Sequence, residues 1–211
     1  ATGTGQTALE TLWALNLCGG FTGTEAIRTL GHPDSWVRLW AVRLMGDARQ
    51  VTPDAAARLA AMAAREPNLE VRNQLASTAA RLPAPEGLAV VRALALRPED
   101  AADNRMPLLI WWAMEAHCER DPDDVMQLFE EAAFWQSPLV QAHLLDRTTR
   151  RFAQAGTRRD LLVCARLFDL SPSPENSRRL MAGFEAAYKG RSLGGLPDEL
   201  VKAMKRHEVG S

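Results

Sequence analysis

A chain of 211 residues with 46% apolar content is long enough to bury a sizeable core. Its 25 basic and 26 acidic residues leave a formal charge of −1, which argues against the broad positive field that gathers nucleic acid or an anionic membrane surface. The three cysteines, Cys18, Cys118 and Cys164, stand far apart, with no C-x-x-C pair, haem-attachment motif or zinc spacing, and all three read as small core hydrophobes rather than a disulfide scaffold.

The elements follow one another as helices. Leu9, Leu12, Trp13 and Leu15 to Leu17 predict an opening helix, Thr24 to Leu30 a short second one, and Val37, Ala41, Leu44 and Met45 a third. Thr52-Pro53-Asp54 is a helix start with proline at the first helical position, and the alanine-rich run to Ala64 has high helix propensity. Val71, Leu75 and Ala79 mark the face of the next helix; Met106-Pro107-Leu108-Leu109 and Ser137-Pro138-Leu139-Val140 open later ones, and a last helix runs from Pro197 to His207. Proline and glycine breakers divide segments of mostly 10 to 18 residues, and no stretch alternates like a strand. None approaches the ~18 or more apolar residues of a membrane span. Residues 1–6, which lack the parts of a signal peptide, read as linker or vector-derived, 7–208 as one helical domain and 209–211 as a tail. The start without methionine suggests an excised domain whose targeting segment lies outside it.

One phrase occurs twice, His32-Pro33-Asp34-Ser35-Trp36-Val37-Arg38 and Glu66-Pro67-Asn68-Leu69-Glu70-Val71-Arg72, with Val37 and Val71 34 residues apart. In each copy proline ends one helix, Asp34 or Asn68 caps the next, and Val-Arg begins an apolar period. That period is one antiparallel helix pair, which cannot bury its apolar face alone and must stack on neighbours. Weaker copies at Leu108 and at Ser137 to Val140 give about five pairs of ~40 residues each. Asp34, Val37, Arg38 and Ala41, with Asn68, Val71, Arg72 and Leu75, resemble the HEAT pattern, which implies an all-α, right-handed α-α superhelix, a HEAT/armadillo-like solenoid. In such arrays the arginine reaches an acid on a neighbouring repeat, so Asp34, Arg38, Asn68 and Arg72 take repeat-stacking roles.

A second resemblance covers Leu12 to Leu200. Leu12-Trp13-Ala14-Leu15 with Gly19-Gly20, the run from His32 to Asp47, Gln74 to Ser77, Pro107 to Ala113, and Leu180 to Glu185 with Lys189-Gly190-Arg191 are similar to the HEAT-like region of large planctomycete and verrucomicrobial membrane-bound dehydrogenase-domain proteins. In that family helical repeats separate a propeller-like dehydrogenase domain from a cytochrome c module. With no C-x-x-C-H and no strand signal here, the resemblance implies the spacer or docking domain of an exported redox protein, with neighbouring domains of the same polypeptide as partners.

Candidate contact residues come from helical spacing. Trp36, Trp40 and Arg43 stand at i, i+4 and i+7, an aromatic and arginine stripe of the kind that forms hot spots. Trp111 and Glu115 share a helix face beside Trp112, and Arg147 and Arg151 share another, with Arg178 or Arg179 available to extend a basic strip. These seven, Trp36, Trp40, Arg43, Trp111, Glu115, Arg147 and Arg151, are expected on a concave protein-binding surface. His32 reads as a turn cap, His143 with Asp146 as a surface pair, and His207-Glu208 as a single weak copy of a metal motif. No P-loop and no H-E-x-x-H appears, so no catalytic residue, cofactor or metal is expected. The enzyme alternative is a HEAT-like DNA glycosylase centred on Trp111, Trp112 and Glu115; a third reading is a free-standing cytoplasmic adaptor.

Overall fold

A computed structural model describes residues 5–208, with the side chains of residues 207 and 208 outside that description. Residues 1–4 of the expected linker and the 209–211 tail fall outside it, and of the His207-Glu208 pair only the helical backbone is described; Gly5 and Gln6 already belong to the first helix.

Among the described residues the chain is all helical. In order come α1 (Gly5–Leu17), α2 (Gly23–Thr29), α3 (Ser35–Asp47), α4 (Pro53–Arg65), α5 (Leu69–Ala79), α6 (Ala84–Ala95), a 3-10 turn (Pro98–Asp100), α7 (Met106–Cys118), α8 (Pro122–Leu128), α9 (Ala132–Gln136), a π-helical turn (Val140–Leu144), α10 (Leu145–Ala155), α11 (Arg158–Leu170), α12 (Pro174–Tyr188) and α13 (Asp198–Glu208). None of these is long and apolar enough to cross a membrane.

Capped starts of helical segments recur with a regular period. Besides the caps by Thr52 on α4 and Thr157 on α11, side-chain oxygens accept from backbone N–H groups in five regularly spaced turns: Asp34 from Trp36, Asn68 from Val71, Asp103 from Met106, Ser137 from Val140 and Ser173 from Asn176. These five capping residues lie 34, 35, 34 and 36 positions apart. Each satisfies a donor that the first helical turn leaves without an intrahelical acceptor. The weaker sequence copies near Leu108 and Val140 therefore carry the same local device as the two clear ones.

The chain forms two compact units. One holds residues up to Leu94 together with Trp112–Ala116. Here α3 lies between α1 and α5, and α2 packs on α4 as well as on its chain neighbour α3. Val37, Ala41 and Met45 are buried as their spacing predicts, but so is Val42, because α3 is covered on two sides. The contact with α5 is close: Thr78 Oγ1 donates to the Val42 carbonyl at 3.1 Å, and a side chain at Gly46 would collide with Thr78.

The second unit takes Ala95–Trp111 and the chain from His117. It repeats the arrangement, with α10 against α12 and α11 against α13. Phe129 makes edge-to-face contacts with Phe134 and Trp135 at 5.2 and 5.3 Å, and the Trp135 indole donates to the Phe129 carbonyl at 2.7 Å. Gly183 lets α12 approach the Asp146 backbone of α10 more closely than any side chain allows.

Candidate functional site

The repeated Val-Arg phrase builds a repeated polar tie. Arg38 donates through Nη1 to the carbonyls of His32 and Pro33, both at 2.9 Å, and Arg72 donates likewise to Glu66 at 3.1 Å and Pro67 at 2.9 Å. Each arginine thus closes the turn six and five residues before it. Arg38 also forks onto Glu66, with Nε at 2.9 Å and Nη2 at 2.6 Å from the two carboxylate oxygens. Glu66 Oε1 accepts from the Asn68 N–H as well, so one buried carboxylate serves the preceding copy's arginine and its own copy's turn. His32 holds the matching place one copy earlier, its Nδ1 accepting from the Asp34 N–H at 3.1 Å. A bidentate, charge-assisted pair of this kind is among the stronger polar contacts a fold can make, and here it joins two turns of the chain.

The Asp34 cap sits at the head of α3. Its carboxyl is held below its ordinary value of 3.8, chiefly by the Trp36 N–H, with the Gly5 N–H adding to the effect against the cost of desolvation.

From that capped start α3 presents the aromatic stripe. Trp36 is 56% exposed. Trp40 is half-buried and meets Trp13 of α1 edge-to-face, centroids 5.0 Å apart. The Arg43 guanidinium lies 5.1 Å from the Trp40 ring centroid and makes no ion pair among the described residues. Trp40 rests, with Leu9, Phe21 and Leu44, on the buried Ala8, Leu12 and Val37. The result is an exposed, cation-bearing aromatic patch on a packed base. Trp13 belongs to it, which spacing along α3 has no means of revealing.

The other candidates divide between the units. Trp111 is 7% exposed and belongs to the core, while Trp112 next to it is 52% exposed. The pairing of Trp111 with Glu115 on one open face is therefore not what α7 offers, because a ring packed in the core has no free face for stacking on a base. Glu115 is half-buried. Arg147 and Arg151 are half-buried on α10, and Arg151 lies 3.6 Å from Glu119. Arg179 is engaged in hydrogen bonds to the Gln141 carbonyl and Glu175, leaving exposed Arg178 as the available member of the suggested strip. His143 Nε2 is 2.9 Å from the Ala101 carbonyl instead of pairing with Asp146. Cys118 and Cys164 are buried, whereas Cys18 is exposed and corrects the core reading for that thiol. Burial, assisted by the charge of Asp160, pushes the Cys164 thiol up to about 12.

Gly190-Arg191-Ser192-Leu193-Gly194 spells G-x-S-x-G, a motif that sequence reasoning passes over. It lies in the connection from α12 to α13, where the strand that builds a hydrolase nucleophile elbow is replaced by a helix, and the Ser192 hydroxyl accepts from the Gly194 N–H. No group of three or more His, Cys, Asp or Glu residues among the described residues is placed to hold a metal ion. Comparison with protein-family models, curated proteins and solved structures returned no match.

Proposed function

We propose that this chain is a HEAT-like scaffold, a right-handed α-α superhelix in which α2–α3, α4–α5, α6–α7, α8 and α9 with α10, and α11–α12 form five pairs. Its role is non-enzymatic: it holds a protein partner and sets the spacing of neighbouring domains, as in the exported redox proteins whose repeat region it resembles. The observation that carries this reading is the twice-built arginine tie, with Arg38 and Arg72 closing their turns in identical register and Arg38 reaching a carboxylate 28 residues on. The periodic caps and the packing of α1 on α3, α2 on α4, α3 on α5, α10 on α12 and α11 on α13 support it.

The contact surface in this reading is the patch of Trp13, Trp36, Trp40 and Arg43. Tryptophan and arginine dominate hot spots because each buries a large, rigid surface and keeps a polar handle. An exposed arginine without a carboxylate mate selects a partner segment that brings one. The test places a photo-crosslinking residue at position 36 of the full-length protein in its own host. One discrete adduct, weakened by Arg43→Glu and absent when the crosslinker stands at exposed Arg65, is the expected result. Indiscriminate adducts at both positions, or an adduct indifferent to Arg43→Glu, would refute the assignment.

A further inference from the structure

We propose that the groove between α12 and α13 is a docking seat for an amphipathic helix of another protein, one with an apolar stripe flanked by acidic residues. This inference is independent of the α3 patch. The groove encloses about 520 Å³, floored by Met181 and Phe184 of α12 and by Val201 and Met204 of α13. Leu193, 61% exposed, closes one side from the connecting segment. Tyr188 stacks on Phe184 at 4.6 Å, and the Arg191 guanidinium lies 6.0 Å over the Tyr188 ring.

Two observations select the occupant. The first is continuity of packing: α12 itself lies against both α10 and α11, the pair that precedes it. The groove formed by α12 with α13 repeats that seat one step further, so its spacing suits another helix, and stripes at i, i+3 and i+7 on α12 offer the ridges for it. The second is charge. Arg191 and Lys205 stand on the rim against the single acid Glu185, and neither cation makes an ion pair among the described residues. A helix with glutamates beside its apolar stripe satisfies both. A second copy stacked through its first helix does not, because the outward residues of α1 include Gln6, Thr7, Glu10 and Thr11.

The probe is a fluorescein-labelled synthetic helix with a leucine stripe and flanking glutamates, titrated against the full chain by fluorescence anisotropy. Saturable binding is expected, roughly tenfold weaker with Lys205→Glu, as for a rim charge facing the wrong sign, and lost with Leu193→Asp. Both substitutions are at exposed positions, and unchanged thermal melts confirm that the variants fold. A composition-matched scrambled peptide and a lysine-flanked peptide are expected to bind far more weakly. Absence of binding, equal binding of the scrambled peptide, or indifference to both substitutions overturns the proposal. So does a homodimer abolished by Leu193→Asp, which would make a second copy the occupant.

Discussion

Gly183→Ala tests whether unit two depends on a close helix approach. A Cβ at this position would lie 2.8 Å from the Asp146 carbonyl carbon, 2.9 Å from its Cα and closer still to its oxygen. Ordinary carbon contacts need ~3.5 to 4.0 Å, so α12 and α10 must part by roughly 1 Å. The obstacle is backbone, which has no rotamer to change, so the cost lies in the upper part of the range for overpacking, about 2–3 kcal/mol. Alanine gains about 1 kcal/mol over glycine in helix propensity, which leaves a net loss of about 1–2 kcal/mol. With a urea slope of about 2 kcal/mol/M, the midpoint falls by roughly 0.5–1 M. Because the chain has two units, hydrogen exchange should accompany the titration, with protection lost in α10 and α12 and retained in α3 and α5. Propensity alone predicts the opposite sign. A midpoint equal to or above that of the parent chain would therefore refute the reasoning.

Glu66→Ala leaves the buried Arg38 fork without its acid and should cost about 3 kcal/mol in chemical denaturation, with the Arg38→Ala/Glu66→Ala double variant losing less than the two single losses added. Arg49 holds φ at 57° just after α3, a left-handed conformation that suits glycine, so Arg49→Gly should raise stability by about 0.5–1 kcal/mol in the same assay. Native protein at pH 8 should expose one thiol to Ellman's reagent, that of Cys18, with Cys118 and Cys164 reacting only on unfolding; Cys164, pushed up to about 12, stays protonated at that pH. The lowered Asp34 carboxyl contributes stability above its unfolded value of 3.8, and that contribution disappears as pH falls through the still lower folded value. Thermal melts of Asp34→Asn should accordingly begin to converge on those of the parent as pH falls below 3.8 and coincide only below the lowered folded value, and a difference independent of pH would contradict this.

Much of the helical order was legible because it rests on local chemistry. A cap oxygen, a proline before it and an apolar residue after it act within one turn, so Asp34 and Asn68 announce α3 and α5 from the chain alone. The later copies drift where the Val-Arg phrase is lost: Asp103 and Ser137 mark only weak copies, and Ser173, which does the same capping work, carries no trace of the phrase. The π-helical turn at Val140–Leu144 has no such local signal. The expected reach of Arg38 to an acid came from the HEAT pattern; its identity as Glu66 required the turn geometry that also seats Asn68.

The candidate surface was less legible for a different reason. A period of 3.6 sorts residues into stripes but does not say which neighbour each stripe meets. On α3 the stripe of Trp36, Trp40 and Arg43 keeps its order, yet its half-buried member is fixed by Trp13, 27 residues earlier on α1. On α7 the same spacing misleads: Trp111 and Trp112 are adjacent, so they point about 100° apart, and the three-dimensional packing buries the first and exposes the second. The groove beside Met181 and Met204 was invisible for a related reason. Its residues satisfy an ordinary core pattern along α12 and α13, and only the packing shows that no described helix covers them. An apolar stripe thus announces that it needs a partner, while the fold decides whether that partner belongs to the chain or comes from outside it.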